Sequence, residues 1–266
     1  MSTDISIPQT GREVRSLIRA GLFRQPTSGV APHHVQANVA ILPKEMAFEF
    51  LLFCQRNPKP CPVIEVIESG EVEASLTATG SDITKDVPLY RVYKHGKMVD
   101  EPETLESYWR DDLVTFLLGC SFSFEHALMA NGIDLPYYGT KRNVPMFITN
   151  IETEKSGPFA GPMVVSHRWI PQNKLVRAVQ ATSRFPETHG APVHIGDPEK
   201  IGISDIRQPD FGEVWERKAD DEVPVFWACG VTPQSIAMAS KPELMITHSP
   251  GHMFVTDLKD EDLAVI

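Results

Sequence analysis

Four cysteines in 266 residues are too few for a disulfide scaffold. None of Cys54, Cys61, Cys120 and Cys229 forms a CxxC pair, so the usual grip for structural zinc is missing. Reduced thiols and a cytoplasmic location are the expectation. No apolar run approaches the ~20 residues of a membrane span, and the polar N-terminus lacks the apolar core of a signal peptide. Basic clusters are absent too. The 25 Lys and Arg against 35 Asp and Glu leave a net charge of −10, which argues against a nucleic-acid partner. There is no phosphate loop, no GxGxxG after a strand, no GxSxG elbow and no HExxH. Nucleotide-driven and nicotinamide chemistry are therefore not expected. The expectation is no cofactor, with only a divalent metal left open. A small carboxylated substrate stays compatible with the negative charge, because a few placed donors outweigh a diffuse field.

Proline, by contrast, is abundant at 22 and scattered between short elements, as in a compact fold with many turns. Val14, Leu17 and Ile18 mark an amphipathic helix that ends at Gly21. PKEMAFEFLLFCQRNP (43–58) predicts a buried helix opened by Pro43. VIEVIE (63–68) reads as a strand and LYRVYKHGKMV (89–99) as a hairpin around His95 and Gly96. Segments 113–118 and 223–228 read as buried strands, and 172–185 as a helix. Strands and helices interleave without a regular βαβ array, which predicts α+β architecture in one unit. That unit spans 1–266 and is divisible into pseudo-repeat lobes at about 20–150 and 151–266. Self-association is left open.

Two stretches repeat. LLGCSFSFEHALMA (117–130) and FWACGVTPQSIAMA (226–239) align on Cys120 and Cys229, matching Ser123 to Thr232 and Glu125 to Gln234. PMFITN (145–150) follows the first and HMFVTD (252–257) the second. Their Met-Phe pairs begin 26 residues after Cys120 (146 − 120) and 24 after Cys229 (253 − 229). A duplicated strand–turn–helix–strand unit is the expectation. Ser123 and Thr232 are suited to cap the two helices. Ser121, Ser123, Gly230 and Thr232 then line helix starts where free N–H groups favour an anion. Cys120 and Cys229 at those starts are either activated nucleophiles or small neighbours of a bound carboxylate.

A second polar concentration is TSRFPETHGAPVHIGDP (182–198), which carries Arg184, His189, His194 and Asp197. His194 with Asp197 is a candidate base and orienting partner. His248 and His252 are further acid–base candidates. Pro250 and Gly251 between them remove the zinc-binding meaning of their i, i+4 spacing, so no metal site is expected. Arg142, Asn143 and Arg168 are candidates for substrate charge and polarity, and Gln36 and Asn38 sit beside an apolar strand.

Several of these blocks together carry a resemblance. GVAPHHVQANVAILPKEMAFEFLLFCQRNPKPCPVIEV, RNVPMFITN, TSRFPETHGAPVHIGDP, VPVFWACGVTPQ and ITHSPGHMFVTDL closely resemble a bacterial hydro-lyase family related to the D-glutamate cyclase found within a larger mitochondrial protein. The similarity runs from about Ala20 to the C-terminus. It implies a lyase that eliminates water. For the mitochondrial relative that means amino-acid metabolism, in which D-glutamate becomes 5-oxo-D-proline. Competing readings are a non-catalytic carboxylate-binding sensor and a thiol enzyme acylated at Cys120 or Cys229.

Overall fold

In the computed structural model, described over residues 8–265, five α-helices and eleven strands form an α+β fold. Helix α1 (Gly11–Arg19) opens with a capping box in which Thr10 and Glu13 satisfy each other's backbone N–H. It is followed by β1 (His34–Pro43), α2 (Lys44–Arg56), β2 (Val63–Ile67), β3 (Tyr90–Lys94), β4 (Lys97–Asp100) and β5 (Leu113–Gly119). Then come α3 (Phe122–Ala130), β6 (Met146–Glu152), β7 (Pro162–Pro171), α4 (Leu175–Ser183) and β8 (His194–Ile195). The chain finishes with β9 (Glu222–Ala228), α5 (Thr232–Ser240), β10 (Met245–His248) and β11 (Phe254–Lys259). The predicted hairpin joins β3 to β4, with positive φ at both His95 and Gly96, as a two-residue primed turn requires.

One sheet has the order β2-β5-β1-β10-β3-β4, with β11 also paired to β1; the other has the order β6-β7-β9-β8. Aromatic packing fills the first sheet's helix-covered face, where Phe50 stands edge-on to Phe116 at 4.9 Å and to Phe159 at 5.2 Å. Each such pair adds about 0.5–1.5 kcal/mol beyond the area it buries. Helix α2 departs from the expected burial. Phe50, Phe53 and Cys54 face the core, but Phe48 is 73% exposed and Leu51 41%. It packs on one side only, and its apolar outer residues remain in solvent.

The central strands β1 and β7 carry matching ladders. Ala37 faces Gly119 and the pairs run to Pro43 opposite Leu113; Val165 faces Ala228 and the pairs run to Pro171 opposite Glu222. On their other edges, Gln36 and Ala37 face Val255 and Phe254, while Val164 and Val165 face Ile148 and Phe147. Aligning Cys120 with Cys229 and Phe147 with Phe254 superposes all of these pairs. Each cysteine turn also moves the chain between sheets. Strand β5 leaves the first sheet and returns through α3 as β6 in the second, and β9 leaves the second and returns through α5 as β10 and β11 in the first.

No helix among the described residues is long and apolar enough to cross a membrane.

Candidate active site

Each cysteine turn is a tight reversal in which the cysteine carbonyl accepts an N–H three residues on. Ser123 donates to Cys120 at 3.1 Å and Thr232 to Cys229 at 3.0 Å. The Phe122 N–H lies 3.5 Å from the Cys120 sulfur, and the Val231 N–H is held against the Cys229 sulfur. Ser123 and Thr232 do not cap their helices, contrary to the sequence expectation. Ser123 Oγ accepts the Gln36 N–H and Thr232 Oγ1 the Val164 N–H, both at 3.1 Å, so each hydroxyl ties its helix to a central strand. Strand N–H groups at the end of a ladder are a stronger demand on a buried hydroxyl than a helix start that is already turned in.

The turns meet through Asn38. Its side-chain amide donates to Gly119 O at 2.8 Å and Leu118 O at 3.3 Å, just ahead of Cys120. The same amide lies flat on Gly230, where an added Cβ would sit 1.9 Å from Asn38 Nδ2. The Ser121 and Gly230 N–H groups, one residue past each cysteine, find no acceptor among the described residues. Two unpaired donors at matching positions beside one bridging amide are groups of the kind that can receive an oxyanion or a carboxylate.

Beneath this junction lies a buried ion pair. Arg168 Nη2 donates to Glu125 Oε1 at 2.6 Å and to Ser121 Oγ at 3.1 Å, Nη1 to Ser166 Oγ at 3.0 Å, and Nε to Tyr137 Oη at 2.6 Å. The guanidinium also packs over Phe124, Tyr137 and Trp227. Burial raises the Glu125 carboxyl pKa even though Arg168 and Tyr137 oppose the rise. For Arg168, burial disfavours the charge, but Tyr137 and Glu125 outweigh it and the guanidinium stays protonated. A fixed cation therefore stands beside Ser121 without needing a substrate to hold it in place.

His189 completes the junction. A Cβ on Gly119 would fall 1.7 Å from Glu187 O, so the turn bearing His189 lies directly on the strand that feeds Cys120. His189 has a left-handed φ of 83° and is 1% exposed. Strain of this kind persists only where surrounding structure over-determines it. Nδ1 lies 2.7 Å from Lys59 O and so carries the hydrogen, which leaves Nε2 as a buried lone pair with no partner. Burial, together with the charges of Lys59 and Arg168, lowers its pKa to about 4, so the ring is neutral at pH 7.

The thiols are not activated. Burial pushes the Cys229 thiol up to about 11 and Cys120 higher still, outweighing the helix-start N–H groups that favour a thiolate. Both cysteines are small, neutral lining groups.

Other sequence candidates fall elsewhere. His194 Nε2 bonds the backbone carbonyl of Asp197 at 2.7 Å, while the exposed Asp197 carboxylate accepts the Glu199 N–H, so the two side chains form no dyad. Arg142 stacks at 4.0 Å on Trp215, and Arg184 reaches Val265 O. His248 is buried beside β1, where Nδ1 accepts the Val39 N–H; burial lowers its pKa to about 3. Asn143 and His252 line a separate open groove. Arg168, a sequence candidate for substrate charge, is instead held in the buried ion pair; Asn38, legible only as a polar residue beside an apolar strand, bridges the turns, and Lys59 carries no sequence signal. No group of three or more His, Cys, Asp or Glu among the described residues is placed to hold a metal.

Residues 114–257 match the model of the D-glutamate cyclase family. Curated relatives named "Putative hydro-lyase" include one from Psychrobacter arcticus, 60% identical over 97% of both chains. Another, from Thermoanaerobacter sp. (strain X514), is 60% identical over 95% of both chains. YcsI of Bacillus subtilis is 53% identical over 96% of this chain and 99% of its own. A solved nitrogen repressor-like protein, MJ0159 from Methanococcus jannaschii, covers 89% of this chain and 91% of its own at 10% identity. Its TM-score of 0.38 is too low to carry an argument.

Proposed function

From the premise that the chain belongs to the D-glutamate cyclase family of hydro-lyases, we propose that it eliminates water from a small carboxylated substrate, converting D-glutamate to 5-oxo-D-proline. The observation that carries this reading is the junction of the two cysteine turns, where the Ser121 and Gly230 N–H groups have no acceptor among the described residues and the turn bearing His189, with its unpartnered Nε2, lies on Gly119 at the end of the strand that feeds Cys120. In the reaction the substrate amine attacks the distal carboxyl carbon, a C–N bond forms, a C–O bond breaks and water departs. His189 Nε2 accepts in turn the two protons the ammonium nitrogen gives up, one before attack and one from the tetrahedral intermediate, and passes each to the departing carboxylate oxygen, which leaves as water. Ser121 and Gly230 N–H groups hold the oxyanion that develops between these steps. Arg168, fixed beside Ser121, adds positive potential without touching the reacting atoms. The matching ladders and turns support a duplicated unit that supplies one donor from each copy.

Chiral chromatography of D-glutamate incubated with the purified protein tests the reading. 5-Oxo-D-proline should form, and His189→Gln should lower kcat by about 10²–10⁴ with the fold intact. No turnover of D-glutamate, or of a panel of hydroxy acids, removes the proposal. Full activity in the His189 variant removes this residue's role.

A further inference from the structure

Away from the junction, an open groove with about 830 Å³ of empty space is lined by Arg91, Glu101, Asn143, Phe211, Ser249 and His252, together with Asp210 and Glu213. Its ion pair is only half used. Arg91 Nε donates to Glu101 Oε1 at 2.8 Å and Nη1 to Gln234 Oε1 at 3.4 Å, which leaves Nη2 without an acceptor among the described residues. Glu101 Oε1 also receives the Ser249 hydroxyl at 2.8 Å, while Oε2 has no donor among the described residues. Asn143 Oδ1 accepts the Val144 N–H at 2.8 Å, and its Nδ2, packed against Gly251, has no acceptor among the described residues. The groove therefore offers spare cationic and amide donors alongside a spare carboxylate oxygen.

We propose that this groove is a second ligand site, taking a small zwitterionic α-amino acid. Arg91 Nη2 and Asn143 Nδ2 receive the carboxylate, and Glu101 Oε2 receives the ammonium. The charge count selects that class. Glu101, Asp210 and Glu213 outnumber Arg91, and burial lowers the pKa of His252, keeping it neutral. An acid lacking an amine meets net repulsion, and an amine lacking an acid leaves Arg91 Nη2 unsatisfied. Burial opposes ionisation of Glu101, but Arg91 and Ser249 outweigh it and lower its pKa, so the carboxylate is present at neutral pH. Arg91 also ties the groove to the first turn of α5 through Gln234. Arg91 and Tyr93 both hold Gln234 Oε1, and Gln234 Nε2 donates to His248 O.

Titration calorimetry on the full chain tests the site with alanine, propionate and ethylamine as probes. Saturable alanine binding is expected, with propionate and ethylamine each at least about ten-fold weaker. Arg91→Gln and the isosteric Glu101→Gln should each weaken alanine about ten-fold or more at unchanged Tm, while His189→Gln leaves it unaltered. The proposal is overturned by no saturable heat up to about 10 mM alanine, by propionate binding as well as alanine, or by binding lost in the His189 variant but kept in both groove variants. If the groove variants instead abolish turnover while alanine fails to bind, the groove belongs to the reaction and the second site is refuted.

Discussion

Replacing Gly230 with alanine tests whether the two cysteine turns are locked together through Asn38. The new Cβ would lie 1.9 Å from Asn38 Nδ2, 2.1 Å from Cγ and 2.4 Å from Oδ1, all far inside van der Waals contact. The amide cannot simply swing aside. Asn38 is 1% exposed, and its Nδ2 is pinned to Gly119 O and Leu118 O. Overpacking a core costs about 1–3 kcal/mol, and stranding the buried amide adds about 1–3 kcal/mol. Gly230→Ala should therefore destabilise the chain by roughly 2–6 kcal/mol, a large share of the ~5–15 kcal/mol typical of a folded domain. Urea unfolding of Gly230→Ala, Asn38→Ala and the double variant measures the cycle. Because Asn38→Ala removes the obstruction, the double variant should be less destabilised than the sum of the singles by about 1–3 kcal/mol. A Gly230→Ala chain within about 0.5 kcal/mol of wild type, or a cycle that closes additively, refutes the lock.

Because burial holds both turn thiols protonated, iodoacetamide at pH 7.5 should label Cys120 and Cys229 only after unfolding; rapid labelling of the native chain contradicts their inert role. His189, lowered to about 4 by burial against about 6.5 unfolded, lets the unfolded chain bind a proton that the folded chain does not. Its contribution is therefore intact above pH 6.5 and is lost as pH falls toward 4, with His167 and His248 acting the same way down to about 3. His189→Gln should flatten the pH dependence of the unfolding free energy, from urea melts between pH 6.5 and 4.5, by at most about 3 kcal/mol, and an unchanged slope counts against the buried neutral ring. Arg168→Met strands a buried carboxyl and should cost about 3–5 kcal/mol, whereas Glu125→Gln keeps an acceptor for Arg168 and costs less; equal losses in thermal unfolding would contradict the ion-pair geometry.

Local signals were legible in the sequence and long-range ones were not. His95-Gly96 announced a hairpin because its turn chemistry is contained in two residues. The two cysteine blocks announced matching strands and turns because side-chain volume and turn residues recur at fixed spacing. Ser123 and Thr232 misled because the partner of each hydroxyl is a strand N–H 87 or 68 residues away in the chain. His194 looked more functional than His189 because it neighbours Asp197 in sequence. What distinguishes His189 is a carbonyl 130 residues away and a left-handed backbone in a turn whose preceding residues, Glu187 and Thr188, lie on Gly119, none of which a motif reveals. Arg168 is a candidate for substrate charge in the sequence, but the structure commits its charge to Glu125 and Tyr137, partners 43 and 31 residues away that no motif reveals.

The exchange of strands between sheets explains why a site can form at this junction. If each cysteine turn began and ended in its own sheet, the Ser121 and Gly230 amides would be positioned by separate frameworks and could drift relative to each other. Here β5 and β11 flank β1, β9 and β6 flank β7, and each turn connects one set to the other. A shift of either sheet therefore strains both turns at once. Asn38 from β1 and Arg168 from β7 reinforce the coupling, since Asn38 holds the last residues of β5 and covers Gly230, while Arg168 reaches Ser121 in the turn that follows β5. Donors that must meet a developing charge within a few tenths of an ångström gain from that rigidity. In this fold the rigidity comes from the crossed connections, which also make the junction the place where the two halves of the chain converge.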